Sequence, residues 1–451
     1  VYSYTYDHAG RLIDTRHKLN DGAEVLLASN SYDELGRLEK TGKNNGNGLE
    51  TSYGYNIRSW LTSVDGTHFK QNLSYTPTGN IASMDWVTEG QPRKYDFAYD
   101  GLSRLTEASY SGAGKYGTSY EYDKHGNITG LIREGKRGIN SFGVIDHLSL
   151  DYSGNQLTAV YDAAKKVSFP PSDDFVQRQA AGTAYAYNKN GAMTKDLNKG
   201  ITDISYNFLN LAATCRIEVP EGNGTNIYTY AADGRKLRTV HEHDSGTLTT
   251  DYVGNVIYEN NELKRILTDG GYWENGKYYF YLTDHLGNNR VVADQDGNVI
   301  QRNHYYPFGM GFAENTEAEQ DVQPYLYNGK EIDRKLGLNL YDYSARYMDP
   351  AIGRFTTVDP LAEKYYSISP YVYVNNNPLK YVDPDGRDIV IHYKNEGKNS
   401  HFIFNGQNQS TAPNNAFVRA VIMAYDYNVG NGGGKSMQEI ATQDFRVHVT
   451  E

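Results

Sequence analysis

The sequence has almost no cysteine and no long apolar run. Its 451 residues include a single cysteine, Cys215, which excludes an internal disulfide framework and any zinc site built from several cysteines. We expect this thiol to be buried and inert, which suits an exported protein that avoids stray thiol chemistry. No stretch approaches the ~20 apolar residues of a membrane span, so no membrane span is predicted.

An export signal is also missing from the start. Residues 1–6 lack the basic region followed by an apolar region that such a signal requires. The chain begins within a repeating pattern, so we expect it to be a fragment of a longer polypeptide.

Basic and aliphatic residues are both scarce. Lys and Arg number 44 against 55 Asp and Glu, giving a formal net charge of −11, which argues against a nucleic-acid-binding surface spread over the chain. Hydrophobic residues make up only 38%, whereas there are 41 tyrosines and 45 glycines. Side chains with an apolar ring and a polar tip therefore replace much of the usual aliphatic core, as is typical of turn-rich β structure.

One phrase, Tyr-Asp/Asn-x-x-Gly-Arg/Asn-Leu/Ile, recurs along most of the chain. The tyrosines that open successive copies of this phrase, from Tyr32 to Tyr122, stand 23, 20, 24 and 23 residues apart. This spacing predicts one hairpin per repeat. Asp or Asn opens the turn by accepting backbone N–H groups, and Gly takes the positive φ of the reversal. Tyr before the turn and Leu or Ile after it are expected to lie across the strand pair. Copies begin at Tyr6, Tyr32, Tyr55, Tyr75, Tyr99, Tyr122, Tyr152, Tyr187, Tyr230 and Tyr281.

This phrase is the YD repeat, and over roughly residues 1–387 the sequence resembles the Rhs, Tc-toxin C-component and teneurin family. The resemblance implies an all-β fold, in which a β-sheet ribbon spirals into a hollow cocoon, with a small α+β piece at the C-terminus. It divides the chain into YD repeats (residues 1–303), the Rhs repeat-associated core (304–387) and the incomplete start of a variable effector domain (388–451).

The core is the most diagnostic stretch. It contains in fixed order YNGKE (residues 327–331), GLNLYDYSARYMDP (337–350), GRF (353–355), DP (359–360), NNNPL (375–379) and DPDGR (383–387). A motif of many parts in fixed order identifies the chain as similar to Rhs cores that precede an effector.

The resemblance also implies self-cleavage. In many members of the family two aspartates act like an aspartic-protease pair and cut the chain just after the second motif. Asp359 and Asp383 match these aspartates, with Asp385 as a substitute for the second, and the cut would fall between Arg387 and Asp388. Two carboxylates held close cannot both ionise, so one remains a general acid while the other activates water.

Two features leave the role of these aspartates open. Arg387 stands where the family has leucine before the cut, and Leu361 with Ala362 follows the first Asp-Pro in place of x-Gly. Asp-Pro and Asp-Gly are also good turn formers, so a structural role is the alternative to proteolysis. Arg354 is expected either to orient and charge-compensate the carboxylates or to form a turn-stabilising ion pair.

From residue 388 the repeats stop. Residues 389–393 and 402–404 predict strands and residues 415–425 predict a helix. Residues 432–436 superficially resemble a phosphate loop but lack its earlier glycine, so a flexible loop is expected. No metal-ligand spacing occurs, so no metal and no cofactor are predicted, and a peptidase, nuclease or deaminase effector all stay open.

The sequence thus predicts the encapsulating and delivery shell of a secreted polymorphic toxin used in interbacterial competition, found outside the cell or at its surface. Its expected partners are its own C-terminal effector, a secretion apparatus and an immunity protein, with no nucleic acid bound by the shell. One alternative is a cell-surface protein that binds glycans or neighbouring surfaces through exposed tyrosine rings. Another, a hydrolase built into the repeats, would need clustered acids in a cleft.

Overall fold

A computed structural model describes most of the chain. The described residues are 1–44, 48–165, 167, 174–179, 184–314, 317–320, 322–365, 367–387, 390–395, 398–404 and 447–450. The helix predicted over residues 415–425 and the glycine-rich loop at residues 432–436 lie outside them. Among the described residues, no helix is long and apolar enough to cross a membrane.

Two large antiparallel sheets make up most of the described chain, and in both of them each strand pairs with its neighbours in sequence. The first sheet has fourteen strands: Tyr2–Tyr6 (β1), Leu12–His17 (β2), Val25–Tyr32 (β3), Leu38–Lys43 (β4), Leu49–Tyr55 (β5), Leu61–Gly66 (β6), Lys70–Tyr75 (β7), Ile81–Thr88 (β8), Gln91–Tyr99 (β9), Leu105–Gly112 (β10), Thr118–Tyr122 (β11), Ile128–Gly138 (β12), Ser141–Ser153 (β13) and Gln156–Asp162 (β14).

The second sheet has thirteen strands: Tyr185–Tyr187 (β15), Met193–Asp196 (β16), Ile201–Tyr206 (β17), Ala212–Val219 (β18), Gly222–Tyr230 (β19), Lys236–His243 (β20), Gly246–Val253 (β21), Val256–Glu259 (β22), Glu262–Thr268 (β23), Gly271–Glu274 (β24), Lys277–Thr283 (β25), Asn289–Asp294 (β26) and Val299–Arg302 (β27). The predicted all-β class is therefore confirmed.

Shorter elements follow the sheets. After the helix Glu317–Gln320 (α1), a four-stranded sheet comprises Glu331–Asp333 (β28), Leu340–Asp342 (β29), Tyr347–Asp349 (β30) and Arg354–Phe355 (β31), interspersed with 3₁₀ turns at Tyr327–Gly329, Lys335–Gly337, Ala362–Lys364 and Val374–Asn376. Val390–Asn395 (β32), Lys398–Phe404 (β33) and Val447–Thr450 (β34) pair with one another. The strands expected near residues 389–393 and 402–404 correspond to β32 and β33.

The turn of each clear repeat is built by its aspartate. In the β3–β4 turn, Oδ1 of Asp33 accepts the backbone N–H groups of Leu35 and Arg37, both at 2.9 Å, and Oδ2 lies 2.7 Å from Nε of Arg37. Gly36 has a φ of +79°, which an L side chain rarely adopts. The predicted pairing also forms, because Tyr32 lies opposite Leu38.

The arginine and tyrosine of this phrase join each repeat to the next. The guanidinium of Arg37 lies 4.8 Å from the centre of the Tyr55 ring, and the Tyr55 hydroxyl donates to the carbonyl of Leu38 at 2.9 Å. A cation over an aromatic face contributes about 0.5–2 kcal/mol, depending on how far the pair is removed from water. The same two contacts recur for Arg11 and Tyr32 with the carbonyl of Leu12, and for Arg104 and Tyr122 with the carbonyl of Leu105.

The segment of residues 304–387, which we call the core segment, packs against both sheets in one buried cluster. The Phe312 ring stacks on Tyr116 at 3.9 Å, with the planes 4° apart. The Tyr306 hydroxyl donates to the carbonyl of Glu134 at 2.6 Å. Buried aromatic side chains of the core segment thus pack against the first sheet, and the Tyr306 hydroxyl finds a backbone acceptor there.

A buried arginine strengthens this contact. Arg133 and Asp146, on β12 and β13, are 1% and 0% exposed and form an ion pair. Arg133 also donates to the carbonyl of Ala351 at 2.7 Å and lies over the Tyr306 ring. Since an unpaired buried charge costs several kcal/mol, these contacts fix the core segment against the first sheet.

Replacing the turn aspartate tests the repeat's construction. We expect Asp33→Ala to lower the free energy of unfolding by about 1–2 kcal/mol, because two backbone N–H groups and one guanidinium lose their acceptor. Thermal unfolding followed by circular dichroism measures this loss. Asp65→Ala is the matched control, since the Asp65 side chain is 61% exposed and, among the described residues, forms an ion pair with Lys70; it should leave the melting temperature unchanged. Equal effects of the two substitutions would contradict the assignment.

Candidate active site

The turn that contains Asp383 is fixed by the aspartate itself. Oδ1 of Asp383 accepts the backbone N–H groups of Asp385, Gly386 and Arg387, at 3.2, 2.7 and 3.2 Å. Gly386 has a φ of +78°, and a Cβ there would lie 2.9 Å from backbone atoms of the core segment. The Asp-Pro-x-Gly sequence thus places the Asp383 carboxyl directly beside the backbone of Arg387.

Arg346 brings Asp383 and Asp359 together. Its Nη2 atom lies 2.9 Å from Oδ2 of Asp359 and 3.1 Å from Oδ2 of Asp383. Its Nε donates to the carbonyl of Gly386 at 2.6 Å, and its guanidinium covers the Phe355 ring at 3.6 Å. A planar guanidinium with five fixed donors suits this task, and its single positive charge stabilises one ionised carboxylate in a buried site.

Asp359 lies in a turn of its own. Its backbone N–H donates to the carbonyl of Pro370 at 3.0 Å, and its Oδ1 accepts the N–H of Leu361 at 2.7 Å. The Oδ2 atom is the one that contacts Arg346. The presence of Leu361 and Ala362 in place of x-Gly therefore does not prevent Asp359 from sharing Arg346 with Asp383.

The electrostatics of the pair favour acid–base chemistry near neutral pH. The pKa of the Asp383 carboxyl is raised to about 6. Burial is the main cause; Arg346 acts against it, while Asp385 and Asp359 act with it. A carboxyl with a pKa in this range can hold a proton at a pH where ordinary carboxyls are ionised.

Lys330 also contacts the turn that contains Asp383. Its Nζ donates to the carbonyl of Pro384 and lies 5.2 Å from the centre of the Tyr343 ring. Burial lowers the pKa of Lys330, and the charge of Asp383 acts against this shift. Lys330 and Arg346 therefore bind two backbone carbonyls of the turn that follows Asp383, those of Pro384 and Gly386.

Asp385 and Arg387 have different surroundings. Asp385 is exposed; its carbonyl accepts the N–H of Ala345 at 3.0 Å and its Oδ1 accepts the N–H of Arg387 at 3.2 Å. Arg387 is also exposed. Asp388 lies outside the described residues. The structure thus brings together Asp359 and Asp383, with Arg346 as the shared partner.

Arg354 lies away from this pair. It donates to the carbonyl of Asn155 at 2.9 Å, and its guanidinium lies 5.0 and 4.9 Å from the ring centres of Tyr152 and Tyr371. The arginine that contacts both carboxylates is Arg346, so the expected supporting role of Arg354 is corrected.

The contacts of Arg354 resemble those of an arginine in the YD repeats. Arg104 lies over Tyr122 and donates to the carbonyl of Asp123 at 2.8 Å. In the next repeat Asn127 stands in place of the arginine, and Arg354 occupies the corresponding position over Tyr152. Arg354 of the core segment therefore makes with Tyr152 the contact that repeat arginines make elsewhere in the first sheet. Sequence reasoning missed this contact because Arg354 and Tyr152 lie far apart in the chain.

Other candidate chemistry is limited. Cys215 is buried, and burial raises the pKa of its thiol. Within the described ranges, no group of three or more His, Cys, Asp or Glu side chains could hold a metal ion. The arrangement of Asp359, Asp383 and Arg346 is therefore the candidate site for chemistry, with acid–base hydrolysis as the reaction that it can support.

Two known proteins with similar sequence are much longer than this chain. The chain is 24% identical over 454 residues to toxin subunit YenC1 of Yersinia entomophaga, covering 86% of this chain and 45% of the relative. It is 30% identical over 282 residues to salivary gland surface protein 1 of Aedes aegypti, covering 56% of this chain and 8% of the relative. It spans less than half the length of these relatives.

A solved structure shares the fold. The TcdB2-TccC3 crystal structure matches with a TM-score of 0.67 and 20% sequence identity, covering 85% of this chain and 21% of that chain. The teneurin YD-shell family matches residues 60–381, which is more than two thirds of the sequence. This chain therefore belongs to the teneurin YD-shell family.

Proposed function

We propose that this chain is the encapsulating and delivery shell of a secreted polymorphic toxin. The observation that carries this proposal is the single buried cluster in which residues of both sheets pack together with the core segment. The name of YenC1, a toxin subunit, supports it. Residues 1–303 are the YD repeats, residues 304–387 the core, and residues 388–451 the start of an enclosed effector.

The position of the tyrosines favours a shell over a surface that binds through exposed rings. Among the described residues, the most exposed tyrosines are Tyr4, Tyr6 and Tyr161, which lie on β1 and β14, at opposite edges of the first sheet. The repeat tyrosines Tyr32, Tyr55 and Tyr99 instead pack between repeats with their hydroxyls bound to carbonyls. A secretion apparatus and an immunity protein are the further partners that this function requires.

The proposal includes self-cleavage between Arg387 and Asp388. Asp359 accepts a proton from a water molecule that attacks the carbonyl carbon of Arg387, and Asp383 gives its proton to the leaving nitrogen of Asp388. Asp383 is suited to the acid role because its pKa is raised. It also accepts the N–H of Arg387, the residue whose carbonyl carbon is attacked. Arg346 holds both carboxyls and stabilises the ionised one.

The arginine at position 387 fits this scheme. Leucine at this place would offer an apolar side chain for burial, but Arg387 is exposed and its backbone N–H is held by Asp383 and Asp385. The turn is thus positioned by backbone contacts that do not depend on the side chain of residue 387.

Amide substitutions test the cleavage directly. We expect folded wild-type protein to yield a fragment ending at Arg387, whereas Asp359→Asn and Asp383→Asn remain uncut because neither can complete the proton transfers. Intact mass spectrometry measures the products. Asp385→Asn is the matched control and should be cut. An uncut wild-type chain would remove the protease function from this protein.

The rate of cleavage should depend on pH with a defined sign. Protonated Asp383 is the acid, so the rate is highest below its pKa of about 6 and falls as the pH rises through that value. The measurement starts from uncut denatured chain, dilutes it into buffers between about pH 5 and pH 8, and follows the fragment by mass spectrometry. A rate that rises over this range would contradict the assignment of Asp383 as the acid.

A pair of arginine substitutions separates the two arginines of the core segment. Arg346→Lys loses the fork that holds both carboxylates, and we expect cleavage to slow by about 100-fold. Arg354→Lys should leave the cleavage rate unchanged and lower only the melting temperature, since Arg354 contacts Tyr152 and Tyr371. If Arg354→Lys slowed cleavage as strongly as Arg346→Lys, the separation of their roles would be wrong.

A further inference from the structure

A second buried group of charged side chains joins the second sheet to the core segment. Asp196 ends β16, Lys199 lies in the turn between β16 and β17, and Asp349 ends β30. Asp196 and Asp349 are 2% and 3% exposed. Proposed self-cleavage uses none of these three residues.

Lys199 and Asp349 are held in contact by their surroundings. Nζ of Lys199 lies 3.3 Å from Oδ1 of Asp349 and donates to the carbonyl of Leu338 at 3.0 Å. Oδ1 of Asp349 accepts the backbone N–H of Ala351 at 3.0 Å, and the backbone carbonyl of Asp349 accepts the N–H of Gly353 at 2.8 Å. An amine and a carboxyl fixed at this separation gain a large effective concentration toward each other.

Asp196 supplies a second carboxyl beside this pair. Its Oδ1 accepts the backbone N–H groups of Asn198 and Lys199, both at 3.1 Å. Its pKa is raised to about 7, chiefly by burial; the charge of Lys199 acts against the rise and that of Asp349 acts with it. A carboxyl that still carries a proton near neutral pH can pass protons between neighbouring groups.

We propose that Lys199 and Asp349 become joined by an isopeptide bond, with Asp196 as the proton carrier. A proton moves from the Lys199 ammonium to the Asp349 carboxylate, which leaves both groups neutral. Nζ then attacks Cγ of Asp349, the new C–N bond forms, and the C–OH bond breaks. The hydroxyl leaves as water with a proton that Asp196 carries from the amine, so one water is lost and no oxidant or cofactor takes part.

Lys236 provides an internal comparison. It lies 2.7 Å from Oδ2 of Asp342 and 2.9 Å from Oε2 of Glu331, whose carboxylate also accepts the Tyr252 hydroxyl. Burial lowers the pKa of Lys236, but Asp342 and Glu331 outweigh it, and the pKa lies well above its usual range. The Lys236 ammonium therefore keeps its proton and forms an ion pair without a covalent bond.

The bond would connect the second sheet to the core segment by a covalent link. It does not depend on the proposed function, since both linked residues precede Arg387. The link would fix the position of the core segment against the second sheet whether or not the chain is cut after Arg387.

Intact mass spectrometry of the folded, denatured and desalted protein tests this proposal. We expect the chain, or its fragment ending at Arg387 if cleavage occurs, to be lighter by about 18 Da than its sequence, the mass of one water. Tandem mass spectrometry of a proteolytic digest should find one branched peptide joining Lys199 to Asp349. Folded wild-type protein with the full sequence mass would overturn the proposal.

Matched variants assign the bond. Lys199→Arg should restore the full mass, because its guanidinium does not form the amide, whereas Lys236→Arg should leave the deficit unchanged. Asp196→Asn should lower the linked fraction at least tenfold while circular dichroism shows a folded chain. A deficit that persists in Lys199→Arg would overturn the assignment, and if a variant fails to fold, the branched peptide of the wild type alone decides.

Discussion

The contact between the arginine of one repeat and the tyrosine of the next is the interaction on which the rest of the structure depends. Asp33 fixes the turn and the direction of the Arg37 side chain, and the guanidinium then covers the Tyr55 ring. The Tyr55 hydroxyl binds a carbonyl of the preceding repeat, so the polar tip of the ring remains satisfied when it is buried. Each of these repeats thus supplies a surface that the next repeat needs, which helps a chain with 38% hydrophobic residues to build the first large sheet.

Arginines also join the first sheet to the core segment and hold the core segment together. Arg354 occupies the place of a missing repeat arginine over Tyr152, and on the first sheet Arg133 reaches the carbonyl of Ala351. Arg346 lies over Phe355 while it binds the Asp359 and Asp383 carboxylates. Burial within the folded protein is the main cause that raises the pKa of Asp383, so the candidate chemistry depends on the folding of this segment.

The repeat could be predicted from the sequence because its determinants are local. Asp, Gly and the flanking Tyr and Leu lie within seven residues, and each has a fixed task in the turn. The aspartate pair could be proposed from its motifs, and Asp359 and Asp383 do share a partner. The partner itself was missed, because Arg354 is nearer to Asp359 in sequence whereas the side chain of Arg346 reaches both carboxylates only in the folded core segment. The place of Arg354 depends on Asn127, more than 200 residues earlier, and no local pattern reports such a contact.

Electron cryomicroscopy of the complete natural polypeptide, with every repeat and the whole effector, tests the central claim most directly. The account predicts a closed shell of continuous YD sheets, with the core segment at one end and density for the chain after Arg387 inside it. A folded domain after Arg387 that lies outside the sheets would contradict it.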